Sequence, residues 1–148
     1  MAVAELFAKG DMAGARAKLH HDMQHYINEV TGERLQEILG HITALARRAT
    51  QAGADAIEVH GDRLVGSLCS PLINQRTDEY GGSFENRTRF ARAVVRAIRE
   101  GSPDICIDYK LPIITENPQL GRGGLFIDEA VELAKLLEAD GVDTFHVG

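Results

Sequence analysis

Three short β-compatible runs, Ala56–His60, Ile105–Leu111 and Thr144–Val147, alternate with helical runs, and that alternation constrains the fold more than any other feature of the chain. Helix and strand in repeated succession specify parallel strands joined by right-handed crossovers. The turns into the first and third strands are short, Gly53-Ala54-Asp55 and Gly141-Val142-Asp143, whereas the first two strands run out into long loops. A loop of such length is uncommon in a compact domain unless it carries function. In folds of this kind the chemistry sits at the C-terminal ends of the strands. The two short turns also echo one another, and Gly141 follows Gly53 by 88 residues. That offset suits two βα units of about forty residues each, as in a (β/α)8 barrel.

The helices carry their own punctuation. Ser83 stands where an N-cap belongs and Glu85 lies in the first turn, where the helix dipole favours an acid. Phe84, Ala91, Val94, Val95 and Ile98 recur at helical spacing, and Gly101 ends the run. Thr31 opens an earlier helix, with Glu33 in its first turn and Leu35, Ile38, Leu39, Ile42, Leu45 and Ala49 as its buried stripe. Gly40 inside it costs about 1 kcal/mol relative to Ala, which packing is expected to offset. A last helix over Ile127–Glu138 is expected to turn Ile127, Val131, Ala134 and Leu137 inward. Before Thr31, residues 1–28 read as helical, broken at Gly10-Asp11, with Met12, Leu19, Met23, Tyr26 and Ile27 on one side of the second piece. The phrase LFAKGDMAGARAKL faintly resembles half a tetratricopeptide unit, but a lone half-unit builds no solenoid. His20, His21 and His25 cluster there; a solvated helix face outweighs a metal site, and no metal is expected. The division is a helical extension or inserted loop region over 1–30 and an α/β partial (β/α)8 barrel over 31–148. Two stretches read as loops: about twenty polar residues after His60, and Pro112–Leu125 with its Gly121-Arg122-Gly123-Gly124 run.

Composition narrows the partners. Sixteen basic and 22 acidic residues leave a net charge of −6, which argues against nucleic acid or an anionic membrane. Two cysteines, Cys69 and Cys106, suggest no disulfide framework. No apolar run reaches membrane-spanning length and no leader pattern opens the chain, so a cytoplasmic location is expected.

Period-two parity carries the functional signal. Ile57 and Val59 share one face of the first strand, while Glu58 and His60 share the other. Ile105, Ile107 and Tyr109 oppose Cys106, Asp108 and Lys110; Phe145 and Val147 oppose Thr144 and His146. Each strand thus has an apolar face suited to helices and a polar face. In a barrel the polar faces point to the axis, and burying them unpaired would cost several kcal/mol per group. Three such faces imply a wet or ligand-filled mouth. The plainer alternative is a Glu58–Lys110 ion pair with no site.

The residues after the first strand sharpen this. Glu58-Val59-His60-Gly61 is followed by Ser70, Pro71, Asn74, Arg76, Asp78, Tyr80, Gly81, Gly82, Ser83, Asn86 and Arg87 in the run SPLINQRTDEYGGSFENRTRF. That run resembles the NADH:flavin oxidoreductase (Old Yellow Enzyme) family over roughly residues 31–148. The resemblance implies strands 4–6 of an FMN-containing barrel. It implies hydride passing from NADH or NADPH through the flavin to an activated alkene (an enone, enoate or enoyl thioester) or to oxygen. By position, His60 resembles the family histidine that hydrogen-bonds the substrate carbonyl or the flavin. Such a donor contributes about 3 kcal/mol to an enolate-like transition state. Lys110 stands where the family usually has an arginine facing the flavin pyrimidine, supplying the charge without the planar fork. The Arg76–Arg87 stretch is expected to be scaffold, with Arg76, Asp78, Asn86 and Arg87 satisfying one another and the loop backbone, and Gly81-Gly82 allowing the sharp entry into the helix.

Two departures stand out. Family members often continue with a second substrate-binding histidine and a proton-donating tyrosine; here the chain reads Gly61-Asp62-Arg63-Leu64-Val65. Arg63 is then the candidate substrate contact, Tyr26, Cys69 or water are the candidate proton sources, and a specialised acid substrate or simple NADH oxidation by oxygen stands as an alternative to ordinary enones. Three strands are also fewer than a barrel's eight, and the flavin phosphate site comes from loops after strands seven and eight. The segment is therefore expected to be incomplete and inactive alone, and to need the missing barrel parts or self-association. The competing readings are a Schiff-base aldolase using Lys110 and a non-catalytic helical interaction module or barrel remnant.

Overall fold

The computed structural model describes residues 2–111 and 125–147. The Gly121-Arg122-Gly123-Gly124 run and the side chains of His20 and Met23 lie outside the described residues. In chain order the elements are α1 (Val3–Ala8), α2 (Met12–Glu29), α3 (Gly32–Gln51), β1 (Ala56–His60), α4 (Leu64–Cys69), α5 (Phe84–Gly101), β2 (Cys106–Leu111), α6 (Ile127–Asp140) and β3 (Thr144–Val147). The strands form one parallel sheet in the order β1-β2-β3.

Capping follows the residue chemistry. The Ser83 hydroxyl accepts from the Asn86 N–H at 3.2 Å, Thr31 from Arg34 at 3.1 Å, and Asp11 from Gly14 at 2.8 Å. Each satisfies an N–H with no partner inside its own helix. Gly53 (φ +82°) and Gly141 (φ +119°) reverse the chain after α3 and α6, a backbone conformation that costs a Cβ-bearing residue.

The core lies between the sheet and its helices. Val59, Ile107, Tyr109 and Leu111 are buried on one face of the sheet, and α5 buries Phe90, Ala91, Val94, Val95 and Ile98. α5 packs on α3, α4 and α6 and so forms the centre of the helical layer. Fully burying each large side chain of this layer contributes about 1.5–3 kcal/mol.

Four expectations are corrected. The stretch after His60 is not all loop, because Leu64–Cys69 is helical, with Gly66, Ser67, Leu68 and Cys69 buried. α6 is rotated from the expected phase: Ala130, Leu133 and Leu137 face the core, while Ile127 (66% exposed) and Val131 (51%) do not. The α6 apolar positions form a band wide enough for two phases, and the packing partner selects one. Leu45 in α3 is exposed rather than lining the buried stripe, and of the apolar side of α2 Ile27 is buried while Met12, Leu19 and Tyr26 are exposed. Gly40 has nothing within 4 Å of where a Cβ would stand, so close packing does not account for it.

Candidate functional site

The strand register aligns the polar residues. His60 is the Cα partner of Lys110, which partners His146; Glu58 partners Asp108, which partners Thr144. Side chains on register partners lie on the same face of a sheet. Glu58, His60, Asp108, Lys110, Thr144 and His146 therefore occupy one face, opposite the buried Val59, Ile107 and Tyr109. Thr144 donates to Asp108 at 2.7 Å, closing the lower part of this row.

The upper part is organised by Asp62, in the turn after β1. Lys110 Nζ donates to Asp62 Oδ2 at 3.3 Å, and His60 Nδ1 lies 3.5 Å from Asp62 Oδ1. His60 Nε2 lies 3.5 Å from Glu58 Oε1. No Glu58–Lys110 ion pair forms among the described residues; Lys110 takes Asp62 instead. Burial pushes the Asp62 carboxyl up, but the hydrogen bond and charge of Lys110, with the Asp62 main chain and the charge of Arg63, together hold it below the ordinary aspartate value. Asp62 Oδ1 is buried without a hydrogen bond among the described residues.

Gly61 makes that approach possible. Its N–H donates to the Lys110 carbonyl at 3.1 Å. A Cβ there would stand 2.3 Å from that carbonyl oxygen and 2.6 Å from Tyr109 Cε1. Only glycine lets the turn after β1 press against the end of β2. Arg63 follows at the start of α4, exposed and without an ion pair among the described residues.

The stretch before α5 is scaffold. Asn74 donates to the Leu68 and Tyr80 carbonyls at 2.6 and 2.8 Å and accepts from the Arg76 N–H at 2.9 Å. Arg76 grips Asp78 and also donates to the Ile27 and Val30 carbonyls at 2.8 and 2.6 Å, satisfying the C-terminal end of α2. That side chain lies over the Tyr80 ring, 5.8 Å from its centroid. Arg87 is buried; it donates to the Cys69 carbonyl, to the Gly82 carbonyl at 3.2 Å, and to Glu129 Oε1 at 2.7 Å. It thus ties the end of α4, the entry to α5 and the first turn of α6 together.

Of the candidate proton sources, Cys69 is buried in the core and burial pushes its thiol up to about 12, so it serves packing rather than proton transfer. Tyr26 lies on α2, 43% exposed. The His21 and His25 rings stack at 6.2 Å, but no three His, Cys, Asp or Glu residues among the described ones gather to hold a metal ion. No helix among the described residues is long and apolar enough to cross a membrane. Period-two parity marks His60 and Lys110 but not Gly61 and Asp62, which lie beyond the strand. Their signal was present in sequence as a glycine and an acid directly following the strand-end histidine.

Comparison with known proteins gives a consistent picture. The family model of the NADH:flavin oxidoreductase / NADH oxidase family matches residues 4–147. A bilirubin reductase of Mediterraneibacter gnavus is 67% identical over 147 residues, which are 99% of this chain and 23% of that protein. A bilirubin reductase of Clostridium symbiosum is 41% identical over 133 residues, 84% of this chain and 36% of that protein. Among solved structures, morphinone reductase in complex with tetrahydroNAD superposes with a TM-score of 0.68 at 31% identity, over 80% of this chain and 33% of that one. The chain thus spans roughly a quarter to a third of the length of these relatives.

Proposed function

Since the chain belongs to the NADH:flavin oxidoreductase / NADH oxidase family, an oxidoreductase family, we propose that it forms strands 4–6 of an FMN-dependent barrel that reduces a conjugated, carboxylate-bearing acceptor of the bilirubin class with NADH or NADPH. The observation that carries this is the convergence of His60 and Lys110 on one sheet face, in register, with the exposed Arg63 three residues after His60 in the turn that follows. The two bilirubin reductases among the relatives support the acceptor class.

The donor set fits a flavin. The pyrimidine edge of the flavin ring is rich in acceptors and has one N–H donor. Lys110 offers cationic donors, His60 an imidazole, and Asp62 Oδ1 an acceptor with no hydrogen bond among the described residues. FMN, when bound, supplies a relay that accepts hydride and returns it. The protein residues do the rest. Lys110 places positive charge where negative charge develops. Asp62 holds Lys110 in place and leaves its remaining N–H donors free. His60 orients and polarises an acceptor oxygen or nitrogen. Arg63, unpaired among the described residues, engages an acceptor carboxylate with two parallel donors.

Residues 1–30 act in this reading as an extension fastened to the barrel through Arg76, and the free outer edges of β1 and β3 require the remaining barrel units. Association of copies is the alternative cover. A cytoplasmic setting fits an acceptor reduced by a soluble nicotinamide.

The test is anaerobic reduction of the FMN-loaded longer protein with NADH, followed by addition of bilirubin or of a simple enone. Bleaching of the flavin band, and its return on adding bilirubin, is the expected result. A protein that takes up no FMN, or whose reduced flavin returns only with the enone, overturns the reading. Arg63→Ala is expected to raise KM for bilirubin and leave flavin reduction by NADH unchanged. The Schiff-base alternative using Lys110 finds no support among these relatives.

A further inference from the structure

The chain contains its own template for how one βα unit joins the next. α3 and α6 end alike: a positive-φ glycine, then an N–H donated five residues back, Ala54 to Ala49 at 3.0 Å and Val142 to Leu137 at 2.9 Å. Each reversal places an aspartate two residues beyond the glycine, Asp55 and Asp143, directly before a strand.

Asp143 clips two strands together. Its N–H donates to the Ile107 carbonyl at 3.0 Å, and its carboxylate accepts the Ile107 N–H at 2.8 Å. One residue of β2 is thereby held through both main-chain groups. Arg99, on the helix leading into β2, donates to the same carboxylate at 2.5 Å. Hydrogen bonding to the Ile107 N–H, then to Arg99, holds the Asp143 carboxyl below its ordinary value.

Asp55 stands at the same position before its strand, but of the three bonds that Asp143 makes it makes none among the described residues. Its carbonyl accepts from Cys106 at 3.2 Å, on the β2 side. Its own N–H and carboxylate have no partner among the described residues, and it borders the free edge of β1. We propose that Asp55 is a strand clip: its N–H and carboxylate bind the C=O and N–H of one residue of a further parallel strand on the β1 edge, and the helix leading into that strand contributes an arginine to the same carboxylate. The occupant is the preceding βα unit of the proposed barrel, for which the relative, of which this chain spans 23%, has ample length. The inference rests on the barrel reading and specifies the joint that reading needs.

A chimaera tests it: this chain replaces its aligned segment in the full-length Mediterraneibacter gnavus relative. Hydrogen–deuterium exchange and FMN content are measured for the parent chimaera, Asp55→Ala, Asp55→Asn and Asp104→Ala. Asp55→Ala is expected to speed amide exchange in the preceding strand about tenfold, as loss of a charge-assisted bond requires. Asp55→Asn, which keeps an acceptor oxygen, has a smaller effect, and Asp104→Ala none. If Asp55→Ala fails to fold, Asp55→Asn carries the comparison. Unchanged protection in the Asp55 variants of a chimaera that holds FMN overturns the clip and leaves the barrel reading standing. A chimaera that folds but takes up no FMN overturns the barrel reading, and one that does not fold overturns both.

Discussion

Replacing Arg87 with alanine is expected to be the most damaging single change outside the apolar core. The Arg87 side chain is 6% exposed and serves three acceptors: the Cys69 and Gly82 carbonyls and the Glu129 carboxylate. Truncation strands the buried Cys69 carbonyl and the Glu129 carboxylate, whereas Gly82 is exposed and water meets its carbonyl. Each unmet buried acceptor costs about 1 kcal/mol or more, and breaking one side of a buried ion pair costs about 3–5 kcal/mol. Glu129 is 27% exposed and stays partly hydrated, which places the total near the lower end, about 3 kcal/mol. With an unfolding slope of about 2 kcal/mol per molar urea, the midpoint falls by about 1.5 M. Arg87→Lys keeps the charge but cannot span three acceptors, and about half the loss remains. The double variant Arg87→Met with Glu129→Gln removes both charges and is expected to recover stability relative to Arg87→Ala. Urea titration followed by far-ultraviolet circular dichroism reads all three. A midpoint for Arg87→Ala no lower than that of Arg47→Ala, at an exposed site, refutes the argument.

Three further outcomes follow from the same coordinates. Asp78, Asp140 and Asp143 have carboxyls held below the ordinary aspartate value of 3.8: Asp78 by Arg76, Asp140 by Arg92 and Arg96 against an opposing burial effect, and Asp143 by the Ile107 N–H and Arg99; Asp62 behaves likewise. A depressed folded-state value gives stability that is complete above the unfolded value and lost as pH falls through the folded one. The urea midpoint is therefore expected to be level above about pH 5 and to fall below about pH 4, and a decline starting above pH 6 would point to the histidines instead. Gly61→Ala drives a methyl into the Lys110 carbonyl and the Tyr109 ring, costing about 1–3 kcal/mol. Its thermal melt is the measure, and an unchanged melting temperature contradicts the close approach. Tyr109→Phe removes a buried hydroxyl that has no partner among the described residues and is expected to be neutral or to stabilise by about 1 kcal/mol in the same titration, whereas a loss above that would reveal a partner.

The architecture was readable because it is repeated and locally capped. Ser83, Thr31 and Asp11 act as the caps their positions indicate, and Gly53 and Gly141 turn the chain as expected. Period two in the strands survives folding because a pleated strand has only two faces, and choosing one fixes every residue. Period 3.6 in α6 did not carry the same weight. Of the expected Ile127, Val131, Ala134 and Leu137, Leu137 is buried and Ala134 packs against the core, but Ala130 and Leu133 take the places of Ile127 and Val131, a choice that only the surface of the neighbouring helix makes. α4 was hidden because six residues containing a glycine and a serine complete too few turns to show a period. Asp62 was passed over because its importance lies in its distance to Lys110, forty-eight positions away, which linear spacing does not encode.

Lys110 belongs to β2, which has a neighbour on either side, whereas His60 and His146 ride on β1 and β3, each hydrogen-bonded along one border. The ammonium therefore stands in the middle of a row, with an imidazole-bearing register partner on each flank. An acceptor broad enough to reach both rings must lie across the cation.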